Sequence, residues 1–116
     1  MVTTSELLKK KCRHQDAGLS DEQIREHLSA VDGWVLQDGK VVKTFEFKNY
    51  YRTLAFVNAI AYLIHAEDHH PELTVTYNRC VVKFDTHSVN GGRGGISEND
   101  FICAAKIDAI FQPPVS

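Results

Sequence analysis

The sequence predicts an α+β fold: a four-stranded antiparallel sheet with helices packed on one face, in the order α-β-β-α-β-β-α. Three observations carry that prediction. Serine-led capping signatures open a helical stretch near each end of the chain. An Asp-Gly pair joins two β-rich runs. A long apolar stretch opened by Asn49 separates those runs from a second pair.

Ser20-Asp21-Glu22-Gln23 has the form of a capping box, in which the serine hydroxyl takes an orphan amide and the glutamine reaches back. The acids meet the positive end of the helix. Ile24, Leu28 and Val31, four and three residues apart, give this first helix one buried stripe, and Asp32-Gly33 ends it. Trp34–Gln37 and Lys40–Phe47, joined by Asp38-Gly39, are the first two strands. Val41, Lys43, Phe45 and Phe47 share one face of the second strand, and Val42, Thr44 and Glu46 the other. Asn49 caps a helix over Tyr50–Glu67, where Tyr51, Leu54, Ala55, Asn58, Ala61, Tyr62 and His65 trace one side and the remaining face is also largely apolar. Such a helix calls for cover on two sides, by its own sheet and by another subunit.

Pro71 closes a short loop before strands Glu72–Tyr77 and Cys80–His87. Gly-Gly-Arg-Gly-Gly at 91–95 marks a flexible loop that reads as a hinge or an insertion. It lacks the Lys-Ser/Thr of a phosphate-binding P-loop. Ser97-Glu98-Asn99-Asp100 opens the last helix, with Ile102, Ala105, Ile107, Ala109 and Ile110 available to face inward, and Pro113-Pro114 stops it. Residues 1–18 form an N-terminal tail or an extra helix ahead of a single domain at 19–116.

Composition bounds the function. A chain of 116 residues with 43% apolar and 24% charged residues has one domain's worth of sequence and is far from the disordered class. Thirteen basic against fifteen acidic residues give a charge of −2, so no overall positive field draws the protein to nucleic acid or anionic lipid. Leu54–Ile64, broken by Asn58, is too short to span a bilayer, and the first 16 residues reverse the order of a secretory signal, which points to the cytoplasm. Cys12, Cys80 and Cys103 are odd in number and widely spaced, which predicts reduced thiols without a disulfide framework.

Four of the six histidines, His65, His69, His70 and His87, fall between the end of the long helix and the end of the fourth strand. Imidazole titrates nearest neutrality, so several gathered in one cleft supply proton donors and acceptors together. His14 and His27 are expected to be solvated or capping residues. Glu67, Asp68 and Asp85 could join the histidines around zinc or iron, but adjacent His69 and His70 point to opposite sides of an extended chain, and the H-E-x-x-H motif is missing. No metal is expected.

The run His65-x-x-x-His69-His70-Pro71, five residues, Tyr77, nine residues, His87 and then Asp100 resembles the signature of pterin-4a-carbinolamine dehydratases. Thr86-His87 ahead of a glycine turn and the Ser97-x-x-Asp100 helix start strengthen the match. The resemblance extends more weakly through Trp34 and Phe45-x-Phe47, and leaves the N-terminal tail outside. Leu73 departs from it, standing where many members have tryptophan, and so does the longer glycine loop. The resemblance implies dehydration of 4a-hydroxytetrahydrobiopterin to quinonoid dihydropterin and water, a step of tetrahydrobiopterin recycling. The reaction needs only proton transfers: one group protonates the departing C4a hydroxyl and another accepts a ring N–H proton, with no cofactor. His69, His70 and His87 would be catalytic. Asp68, Asp85, Thr86 and Ser88, beside those histidines, would contact the pyrimidine-like edge of the pterin, while His65 and Asp100 would orient their neighbours. A homodimer or homotetramer is also implied. The alternative it carries is a non-enzymatic one, a dimerisation partner or coactivator of a transcription factor, which a charge of −2 permits as a protein contact but not as a direct nucleic acid contact.

Overall fold

The protein, seen in a computed structural model, is described over residues 1–111. Its elements are α1 (Thr4–Lys9), α2 (Asp21–Leu28), β1 (Val35–Gln37), β2 (Lys40–Glu46), α3 (Tyr50–Glu67), β3 (Glu72–Val75), β4 (Arg79–Phe84) and α4 (Glu98–Ile110). The four strands form one antiparallel sheet in the order β1-β2-β4-β3. The α+β class and the expected element order hold, with α1 added in front.

Alternation decides which side of the sheet is covered. Val41 and Phe45 of β2 stand in register with Phe84 and Cys80 of β4, and all four, with Val82, are buried against the helices. Thr44 and Glu46 on the opposite face are exposed. Phe45 anchors an aromatic cluster, with ring centroids 4.7 Å from Phe56, 5.0 Å from Phe111 and 6.0 Å from Trp34. Each such buried ring contributes about 2–3 kcal/mol of transfer free energy. Polar groups within this layer are paired. Trp34 Nε1 donates to Asp108 Oδ2 at 3.0 Å, and Lys43 Nζ to Asp108 Oδ1 at 2.9 Å.

Both capping boxes form as expected, at Ser20/Gln23 and at Ser97/Asp100. Asp38-Gly39 makes the β1–β2 turn with positive φ at both residues. The third and fourth strands are shorter than expected. Thr76, Tyr77 and Asn78 form their turn instead, tied down by Tyr77 O accepting from Thr53 Oγ1 and Asn78 O accepting from the Phe47 amide. Helix α4 ends at Ile110; Pro113 and Pro114 lie outside the described residues.

Several local expectations are corrected. The inward face of α3, which the sequence leaves open, is Thr53, Phe56, Ile60 and Leu63; on the side traced by Tyr51, Leu54, Ala55, Asn58, Ala61, Tyr62 and His65, Leu54 is half-buried and the rest are exposed. Ala109 also faces outward. His27 is buried rather than solvated: Nδ1 bonds the Gln23 carbonyl at 2.8 Å, Nε2 lies 3.4 Å from Glu98, and the ring packs 5.0 Å from Phe101. A helix terminus exposes a histidine only when nothing packs over it, and here α4 does. The glycine loop is no free hinge. Asn90 fixes it, with its amide donating to Asp16 O, its side-chain oxygen accepting from the Gly18 amide and its side-chain nitrogen donating to Gly94 O. Gly95 faces that side chain so closely that an added Cβ would stand 2.8 Å from Asn90 Nδ2.

The segment before residue 19 is packed. Leu7 of α1 is fully buried in the main core, and Thr4 Oγ1 donates to Ala30 O at 2.6 Å. This cover explains why α4 is buried at every residue from Asn99 to Ala105, more than a one-sided stripe would need. No helix among the described residues is long and apolar enough to cross a membrane.

Candidate active site

Two element ends meet at the site. Helix α3 stops at Asp68, whose left-handed backbone (φ 52°, ψ 41°) turns the chain sharply so that His69 follows at the edge of the core. Helix α4 begins nearby with Asp100 at the third position of its capping box. The two side chains join, His69 Nε2 lying 2.5 Å from Asp100 Oδ1. Asp100 is completely buried, and its other oxygen accepts from the Ser97 amide at 2.9 Å and from Thr86 Oγ1 at 3.0 Å. Thr86 Oγ1 also lies 2.7 Å from Ser97 Oγ. Three donors thus converge on one buried carboxylate at a helix N-terminus, the arrangement that offsets the cost of burying its charge. The His69 ring stacks on Phe84, with centroids 5.6 Å apart and planes 7° from parallel.

His69 borders a cleft of about 300 Å³ lined also by Cys12, Arg13, His14, Glu67, Asp68, Thr86, Ser88 and Asn99. Of the residues expected at the site, His69, Asp68, Thr86 and Ser88 are therefore together, with Asp100 behind His69. The Thr86 hydroxyl is engaged with Asp100 and Ser97. Ser88 Oγ donates to Gln15 O at 3.4 Å. His70 and His87 are exposed and are not among the lining residues, although His70 follows His69 and His87 stands between Thr86 and Ser88. His70 Nε2 lies 3.5 Å from Asp68 Oδ1. Asp85 is not a lining residue either; it lies 3.9 Å from Lys40 Nζ. His65 is exposed on α3, and it is His69 that contacts Asp100. Tyr77, a member of the motif, is exposed and stacks on Tyr50 at 6.2 Å.

Sequence reasoning missed one wall. Residues 12–14 line the cleft as a strap, held by buried groups. Glu67 Oε1 accepts from the Cys12 amide at 2.8 Å, Asn99 Oδ1 from the Arg13 amide at 3.1 Å, and Asn99 Nδ2 donates to Arg13 O at 2.6 Å. Burial alone would raise the Glu67 carboxyl, but the Cys12 amide and the Lys106 ammonium, 2.8 Å away, outweigh it and hold that carboxyl below its ordinary range. No periodicity or motif relates position 12 to positions 67 and 99. Among the described residues, no group of three His, Cys, Asp or Glu side chains is placed to share a metal ion.

The comparisons with known proteins bear on the family and the fold. A family model described as Pterin 4 alpha carbinolamine dehydratase matches residues 17–110. A Bdellovibrio bacteriovorus protein provisionally named pterin-4-alpha-carbinolamine dehydratase is 64% identical over 110 residues, covering 95% of this chain and 92% of its own. One of the same provisional name from Nitrosospira multiformis is 49% identical, with 96% and 97% covered. A crystal structure from Brucella melitensis, described as a transcriptional coactivator/pterin dehydratase, superposes with a TM-score of 0.72 at 35% identity, over 80% of this chain and 97% of that one. The chain belongs to the pterin-4-alpha-carbinolamine dehydratase family, a family of dehydratases acting on pterins.

Proposed function

We propose that this chain dehydrates 4a-hydroxytetrahydrobiopterin to the quinonoid dihydropterin, with His69 as the proton-transferring group fixed most firmly. The observation that carries this reading is the His69–Asp100 bond at the wall of the cleft. With Nε2–H donating to the carboxylate, a neutral His69 keeps its lone pair on Nδ1, the nitrogen left to accept the pterin N–H proton. Asp100 then faces the imidazolium formed in that step and stabilises it. Protonation of the leaving C4a hydroxyl is assigned to His70 or His87, exposed histidines whose sequence neighbours His69, Thr86 and Ser88 line the cleft. The carbinolamine has two stereoisomers, and the hydroxyl of each can leave toward a different histidine. Asp68 and Ser88 supply polar contacts for the pyrimidine-like edge. Thr86 acts through Asp100.

The exposed side of α3 supports an oligomer. Tyr51 and Tyr62 are 79% and 80% exposed there beside Ala55, Asn58 and Ala61, a surface suited to a second copy.

The test is a rapid assay of carbinolamine dehydration, corrected for the buffer-catalysed background. The expected result is acceleration by the wild-type protein that changes across the imidazole titration range and falls by about 10² to 10⁴ in His69→Ala. A corrected rate no faster than buffer overturns the reading.

A further inference from the structure

We infer that Cys12 and Cys103 form a reversible oxidation site, at which a peroxide closes a disulfide that pins the N-terminal strap to α4 and narrows the cleft. The two cysteines stand 91 positions apart in sequence, yet their sulfurs are 3.5 Å apart. Covalent closure requires a separation of about 2.05 Å, a movement of about 1.5 Å. Cys12 lines the cleft and is half-buried, while Cys103 is buried one turn beyond Asp100 on the same helix. The pair therefore has one sulfur that small molecules can reach and one held behind it. Cys80, the third thiol, is buried in β4 and supplies an internal control.

The hydrogen bond to Cys12 first, and burial second, hold the Cys103 thiol far above its ordinary range, so Cys103 keeps its proton while Cys12 meets the oxidant. In the first step the Cys12 thiolate attacks a hydroperoxide. The O–O bond breaks, an alcohol or water leaves after taking up a proton, and Cys12 becomes a sulfenic acid. Cys103 then attacks the sulfenic sulfur, the S–OH bond breaks, and the hydroxyl leaves as water with the Cys103 proton. The peroxide gains two electrons and the two sulfurs lose them; a dithiol reductant reverses the change.

The consequence follows from what the strap carries. Arg13 and His14 follow Cys12 directly, and all three line the cleft that His69 borders. The strap is held now by hydrogen bonds to Glu67 and Asn99; a disulfide would draw it toward α4 and fix it there. Cys12 lies upstream of the family-matched residues 17–110 and Cys103 within them, so the pair would tie the N-terminal segment to the matched domain.

The full-length protein is treated with hydrogen peroxide and then with dithiothreitol. The expected result is a loss of about 2 Da, the mass of two hydrogens, assigned by peptide mapping to a Cys12–Cys103 link. Amide exchange at residues 12 and 13 should slow, and turnover should fall about tenfold or more, since ångström-scale displacement of a positioning wall costs up to about 10² in rate. All three changes should reverse with dithiothreitol. Cys103→Ser, or Cys103→Ala if the serine variant folds poorly, should form no link and lose its reversible sensitivity. Over-oxidation of Cys12 without a link, a link between two chains, or a link that leaves turnover unchanged overturns the inference. The effect on turnover rests on the dehydratase reading, but the link and the exchange are read without substrate. Inactivity of the reduced protein would thus defeat that reading alone.

Discussion

His69 and His70 are neighbours in sequence and opposites in structure. The side chain of His69 is 12% exposed, stacked on Phe84 and bonded to a buried carboxylate, while that of His70 is 73% exposed and has only Asp68 at 3.5 Å. An extended dipeptide sends successive side chains to opposite sides, so one imidazole can be built into the protein only if the other is left to solvent. For acid–base chemistry the difference is a division of placement: one ring is held in orientation by Asp100 and Phe84, and the other stands open to solvent. Loss of His69 should therefore disturb both chemistry and fold, and loss of His70 chemistry alone.

The largest effects test that division directly. Asp100→Ala leaves the His69, Ser97 and Thr86 donors facing an empty site, and should cost about 3 kcal/mol or more of stability, read by denaturant unfolding, besides lowering the rate. His69→Ala should lower turnover by about 10² to 10⁴ and the melting temperature as well. His70→Ala and His87→Ala should fall in the same range of rate with the melting temperature unchanged. A His70 variant that melts early, or a His69 variant that turns over normally, breaks the comparison.

His27 sharpens it from outside the cleft. It is as buried as His69 but far from the proposed chemistry in role, so His27→Ala should lose about 2 kcal/mol of stability and keep the turnover of each folded molecule. If turnover falls with it, burial and not contact with substrate is setting the rate.

The strap gives a smaller, pH-dependent effect. The Glu67 carboxyl is depressed in the folded protein below its ordinary 4.5, so its contribution is fully present above that value and is lost as pH falls through the lower folded one. The stability difference between wild type and Glu67→Gln should be constant near neutrality and close below about pH 4. A gap that instead widened in acid would show that the Cys12 amide and Lys106 do not favour the ionised form. Smallest of all is His14→Ala. Its ion pair with Asp16 is 2.8 Å long but both side chains are largely exposed, so calorimetry should find no measurable shift in melting temperature.

Much of the architecture was legible because it rests on local chemistry. The two capping boxes and the Asp38-Gly39 turn are decided within four residues, and alternation along β2 put Val41 and Phe45 on one face, the face that the structure buries. The histidine motif was legible for a different reason, as spacing along one turn and two strands. The side of α3 facing the core was harder, because a helix apolar nearly all round gives no single stripe to choose. The strap was not legible at all.

The sequence by itself determined where helices and strands begin, the order in which they come, and which histidines are gathered into one stretch of chain. Tertiary structure alone decided that the N-terminal segment closes the cleft, that His27 is buried, that Asn90 ties down the glycine loop, and that two cysteines 91 positions apart touch. The physical reason is range. Caps, turns and strand alternation act between residues close in sequence, whereas each of these contacts depends on where separately formed elements come to rest, and a hydrogen bond or a thiol contact a few ångströms long leaves no periodic trace in the chain.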